Sequence, residues 1–87
     1  MDIIKVSSQS RTSAVAGAIA GVMRDVQRAE VQAVGAGAVN QAVKAIIIAH
    51  VFLVEEGVDI VCTPSFVEIT IDGQERTAVR LLVEPRP

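Results

Sequence analysis

Aromatic side chains are nearly absent: there is no Trp or Tyr, and only Phe52 and Phe66 among 87 residues. That argues against a module that reads nucleic acid by stacking bases on aromatic rings. Cys62 and His50 are the only residues of their kinds. A disulfide framework within the chain, a cysteine-based zinc site and the usual multi-histidine ligand sets are therefore excluded, and neither metal nor cofactor is expected. Charge of one sign is lacking as well. Eight Lys+Arg against ten Asp+Glu leave a net charge of −2, the wrong sign for holding a polyanion by overall charge, so any nucleic-acid contact has to be local. No basic start followed by an apolar run and a small-residue cleavage site opens the chain. The longest uninterrupted apolar stretch, residues 45–49, is far short of the roughly 20 residues that cross a bilayer. The expectation is a cytoplasmic protein that does not enter a membrane.

What is present suits one small folded domain over residues 1–87. Hydrophobic residues make up 51% and charged residues 21%, enough apolar surface to order the chain. In residues 2–7, Ile4 and Val6 alternate with Lys5 and Ser7, a strand pattern. The Ser- and Thr-rich residues 7–13 form a loop whose hydroxyls are suited to capping the next helix. That helix is expected over residues 13–27, with Val15, Ile19, Val22, Met23 and Val26 on a stripe toward a sheet. Its other side carries Gly17 and Gly21, then Arg24 and Arg28. Interior glycines cost roughly 1 kcal/mol each relative to alanine, so they imply either close packing against a neighbouring helix or a shallow groove ending in two arginines.

Residues 30–35 alternate again as a second strand, and a Gly35-Ala36-Gly37-Ala38 turn leads into a helix over residues 38–55, stopped by Gly57. This helix is apolar nearly all round. Val39, Val43, Ile46, Ile47, Val51 and Val54 occupy one arc, Ala42, Ala45 and Ala49 another, and Ile48 and Phe52 stand in the remaining wedge with Gln41, Lys44 and Glu55. A chain this short cannot cover such a helix on every side. A second copy is expected to do so, with Ile48 and Phe52 at the contact of a homo-oligomer, dimer or tetramer.

Residues 58–71 form a β-branched strand bent at Pro64, followed by an Asp72-Gly73 hairpin signal and a last strand over residues 75–84. A three-residue turn, Asp72-Gly73-Gln74, pairs Val67 with Val79 and Ile69 with Thr77. It gathers Glu68, Thr70, Arg76 and Arg80 on the opposite side. The order β-α-β-α-β-β with right-handed crossovers predicts an α/β two-layer sandwich, a four-stranded mixed sheet with both helices on one face.

The residues offer little for catalysis. A hydrolase triad needs a nucleophile, a base and an orienting carboxylate, yet the single imidazole, His50, falls in an apolar helical arc, where a packing or subunit-contact role fits. Cys62 reads as a small buried hydrophobe. Glu55 and Glu56 point to different helix faces and read as solvated, or as partners of a basic residue on another subunit. No enzyme is expected. The Gly35-Ala36-Gly37 turn has anion-binding geometry, with Asn40 and Lys44 a helical turn apart to assist; a tight turn with close helix packing accounts for the same glycines. Arg11 and Lys44 converge into a basic patch if the first two strands are neighbours, while Glu68 neutralises part of the field of Arg76 and Arg80.

Three segments carry a family resemblance: residues 15–21 (Val-Ala-Gly-Ala-Ile-Ala-Gly), residues 35–45 (Gly-Ala-Gly-Ala-Val-Asn-Gln-Ala-Val-Lys-Ala) and residues 71–78 (Ile-Asp-Gly-Gln-Glu-Arg-Thr-Ala). From about Ile4 to Arg86 the chain resembles the stage V sporulation protein S family, small bacterial regulators of spore development that are not known as enzymes. The resemblance implies an Alba-like fold, in agreement with the element order. It also implies dimerisation through the second helix and last strands, and binding of DNA or RNA through the loop after the first strand, the turn before the second helix and a reaching hairpin. At those places this chain carries Ser8, Gln9, Ser10 and Arg11, then Ala36 and Gly37, then Asp72 and Glu75. Nucleic-acid binding through Arg11, Lys44, Arg76 and Arg80 is accordingly expected to be weak and salt-sensitive. An assembly factor that contacts only protein is the alternative.

Overall fold

A computed structural model describes residues 3–87; the strand position expected for Asp2 lies outside them. The elements follow in the expected order: β1 (Ile3–Val6), α1 (Thr12–Val26), β2 (Ala29–Ala33), α2 (Ala36–Glu55), β3 (Ile60–Ile71) and β4 (Gln74–Pro85). They build a four-stranded sheet ordered β1-β2-β4-β3. β1 and β2 are parallel, and β4 is antiparallel to both β2 and β3. This is the mixed sheet of an α/β two-layer sandwich, and both helices pack on one face.

The helices meet through alanine. α1 buries Ala16 and Ala20 beside Val15, Ile19 and Met23, while α2 buries Ala38, Ala42, Ala45 and Ala49 with Leu53. Methyl-sized side chains let the two backbones approach closely, and this turns α2 away from the orientation that its largest residues suggest, while α1 keeps Val15, Ile19 and Met23 inside. Val26, expected on the inner stripe of α1, is 55% exposed at the last helical position. The larger α2 residues Val43, Ile47, Val51 and Val54 face outward. α2 is long and apolar enough by length and composition to cross a membrane. Counting uninterrupted runs does not register that, because His50, Lys44 and Gln41 interrupt the sequence. In the fold its alanine face lies in the core.

One helix end departs from the expected chemistry and another matches it. The serine loop does not cap α1: Arg11 is the N-cap and makes no side-chain cap bond. Ser10 Oγ instead accepts from the Ser7 N–H at 2.9 Å, and Ser7 Oγ accepts from the Gln9 N–H at 3.1 Å, closing a turn of their own. The end of α2 matches expectation. Gly57 has φ +84°, its N–H donates to Val54 O at 3.1 Å, and the Val58 N–H reaches back to Leu53 O at 2.9 Å, the two bonds of a Schellman motif.

The β3–β4 hairpin corrects the three-residue turn. Ile71 pairs with Gln74, Ile69 with Arg76 and Val67 with Ala78, so the loop is the two residues Asp72 and Gly73. Both have positive φ, 50° and 77°, the type I′ geometry whose twist matches the flanking strands. Turn chemistry outweighs tidy segregation of hydrophobic residues here. Glu68 therefore sits across from Thr77, accepting its hydroxyl proton at 2.7 Å, on the face opposite Arg76 and Arg80.

Gly17 and Gly21 are exposed, and a Cβ at either meets nothing within 4 Å. No helix packs against them within the chain. Gly17→Ala and Gly21→Ala are each expected to raise stability by about 0.5–1 kcal/mol, the helix-propensity gain without a steric penalty. Urea denaturation measures it. Gly37→Ala is expected to lack that gain, because its Cβ would meet Ser8 Cβ at 3.0 Å.

Candidate nucleic-acid interface

The topology collects three segments at one edge of the sheet. Parallel β1 and β2 both end there, so the serine loop before α1 and the glycine turn before α2 lie side by side. Antiparallel β4 starts there, which brings the hairpin to the same edge. Ser8 crowds against Gly37, and Gln41 Nε2 donates to Ser10 O at 2.9 Å. The loop is thus pinned to the first turns of α2. Arg11 follows Ser10, and Lys44 stands three residues beyond Gln41 on α2. The condition for their convergence, that β1 and β2 be neighbours, is met.

Of the turn's glycines, only Gly37 packs closely against another described residue, Ser8. Gly35 adopts φ 90° as the N-cap of α2, a conformation that disfavours any side chain, and Gly37 makes room for Ser8. Asn40 is exposed one turn on.

The arginines divide into engaged and unengaged groups. Arg80 is one-third exposed, and its buried Nε lies 3.2 Å from Glu30 Oε1 without hydrogen-bond alignment. Gln32 Nε2 donates to the other Glu30 oxygen at 3.2 Å. Arg80 thus faces Glu30 within the sheet, which offsets part of its charge, and it keeps about a third of its side-chain surface in solvent. Arg24, at the end of the exposed glycine stripe, is held by Glu56 at 2.6 Å. That replaces both the anion-binding groove and the intersubunit partner expected for Glu56. Arg86 pairs with Asp59 at 2.7 Å. Among the described residues Lys5, Arg11, Arg28, Lys44 and Arg76 form no ion pair. Lys5 was missed as a contributor: strand alternation assigns it to solvent, but it faces the open side of the sheet beside Ser7, Ser8 and the hairpin tip.

His50 is half-exposed rather than enclosed, and its Nε2–H donates to Asp59 Oδ1 at 2.7 Å. The hydrogen bond from Arg86 first, then that from His50, holds the Asp59 carboxyl below its usual range, and the hydrogen bond from Arg24 does the same for Glu56. Carboxyls depressed by folding stabilise above their unfolded values, and the contribution is lost as pH falls through the folded values. Stability is therefore expected to decline below the ordinary carboxylate range, and less steeply in Asp59→Asn. Thermal unfolding between pH 7 and pH 2.5 checks this. Cys62 is exposed, not buried, although partial desolvation pushes its thiol up and keeps it protonated.

A second surface lies on the helix side. Val43, Ile47, Val51, Phe52 and Val54 of α2 are all exposed, Ile47 at 58%. A cleft of about 130 Å3 joins this arc, through Ile47 and His50, to Cys62 of β3. Pro64 and Phe66 follow on the same strand face, Phe66 at 79% exposure. Ile48, expected at a subunit contact with Phe52, is partly buried and packs against the core.

A model of the Stage V sporulation protein S (SpoVS) family matches residues 2–86. The chain belongs to this family. As a SpoVS-family member it is a small sporulation-related protein, and the match takes in every element of the fold, the loop edge and the apolar α2–β3 surface alike.

Proposed function

We propose that this chain is a non-enzymatic, cytoplasmic regulator that binds nucleic acid as a homodimer. The observation that carries the reading is the meeting of the serine loop, the α2 start and the hairpin at one edge; it is supported by Arg11, Lys44, Lys5 and Arg76, which belong to these segments or to β1 and α2 and form no ion pair among the described residues. Phosphates are the partner such a set suits: a few cations, unassisted by aromatic rings, neutralise the backbone and carry little sequence information. Dimerisation doubles the edge. It also covers the α2–β3 surface, whose branched aliphatic residues a lone chain leaves in water.

Fluorescence anisotropy with a labelled duplex and a labelled single strand, over a salt series, tests this. Binding is expected at low salt and is expected to weaken steeply as salt rises. No detectable binding at low salt would leave the second reading, a protein-assembly factor, which the extent of exposed α2–β3 surface favours.

A further inference from the structure

The sheet face away from the helices carries a cleft of about 550 Å3, within the size range of pockets that hold small ligands, about 300–1,000 Å3. Its walls are Ile3 of β1, Val34 after β2, and Ile69 and Ile71 at the end of β3; Lys5 and Gln32 also line it. Ile3 and Ile71 are 41% and 39% exposed. By strand register both point to this face, and they are its only strongly exposed large hydrophobic residues among those described. The two strongly exposed apolar residues of this face are thus both at the cleft.

Its electrostatics are one-sided. Among the described residues Lys5 is the only charged one lining it. The nearest acidic side chain in register terms is Glu30, diagonal to Lys5, but one of its oxygens faces Arg80 and the other accepts from Gln32. Among the described residues its lining therefore offers an aliphatic slot with a cation at its rim and no carboxylate.

We propose that this cleft binds a small monocarboxylate with an aliphatic body, the carboxylate on Lys5 and the chain between Ile3, Val34, Ile69 and Ile71. A cationic amphiphile is repelled by the same rim, and a neutral one forfeits the ion pair. The proposal does not rest on nucleic-acid binding and does not use Arg11 or Lys44, although Lys5 and the hairpin tip are common to both surfaces.

Methyl NMR of the full chain, titrated with octanoate below its micellar range, tests the assignment, with octylammonium and adenosine monophosphate as parallel probes. Saturable shifts confined to the Ile3, Ile69 and Ile71 methyls with octanoate, none with octylammonium, and at least about a tenfold weaker affinity in Lys5→Met with recovery in Lys5→Arg are expected. Lys5 is exposed, so an unchanged methyl spectrum in the free variants confirms their fold. The proposal is overturned by absence of saturable shifts, by equal binding in Lys5→Met, by shifts centred on Ile47, or by adenosine monophosphate filling the cleft when octanoate does not.

Discussion

Ile47→Glu is expected to convert the proposed homodimer into folded monomers, weakening self-association at least about 100-fold, or about 2.8 kcal/mol at 1.4 kcal/mol per decade. Ile47 stands in the middle of the exposed α2 arc and lines the small cleft that joins α2 to β3. In a two-fold assembly over this surface each copy would bury a glutamate, without a partner, against apolar side chains, a cost that recurs on both sides of the axis. The monomer loses little, because Ile47 is already more than half exposed in the isolated chain. Val26→Glu is the matched control: Val26 is exposed to a similar degree, but it is on α1, away from this surface. Its self-association is expected to be unchanged. Sedimentation velocity with circular dichroism separates loss of assembly from loss of fold.

The second large effect is on nucleic-acid binding. Arg11→Glu with Lys44→Glu replaces two cations at the loop edge by two anions. Each lost phosphate contact removes about one unit from the slope of log affinity against log salt, so the slope is expected to fall by about two, with at least a tenfold loss of affinity at low salt. Arg24→Gln removes a cation that Glu56 already neutralises, and is expected to change affinity less than twofold. Equal losses in both variants would mean that net charge, rather than the loop edge, governs binding. Anisotropy titrations on the same labelled strands provide the comparison.

The element order is legible in the residues because hydrophobic period changes cleanly between two and 3.6, and glycine marks the ends of α2. Three features were not legible, each for a physical reason. Bulk is a poor guide to burial when alanines on two helices can meet: the valines and isoleucines of α2 look like its inner face, yet Ala42, Ala45 and Ala49 lie inside. Apolar segregation favours a longer hairpin turn, but the left-handed geometry at Asp72 and Gly73 fixes a two-residue loop and moves Glu68 to the face opposite Arg76. The engagement of Arg80 by Glu30 depends on pairing between β2 and β4, strands separated by forty residues of intervening chain, and no local pattern encodes it. The candidate edge was half legible: Arg11 and Lys44 follow from parallel β1 and β2, whereas Lys5 emerges only once the hairpin is seen beside the open sheet face.

Covering of the α2–β3 surface by a second copy is the central claim, and sedimentation equilibrium of the unaltered chain at low micromolar concentration tests it most directly. A particle of twice the 9.2 kDa chain mass is the predicted result. A stably folded species of one chain mass under the same conditions would contradict it.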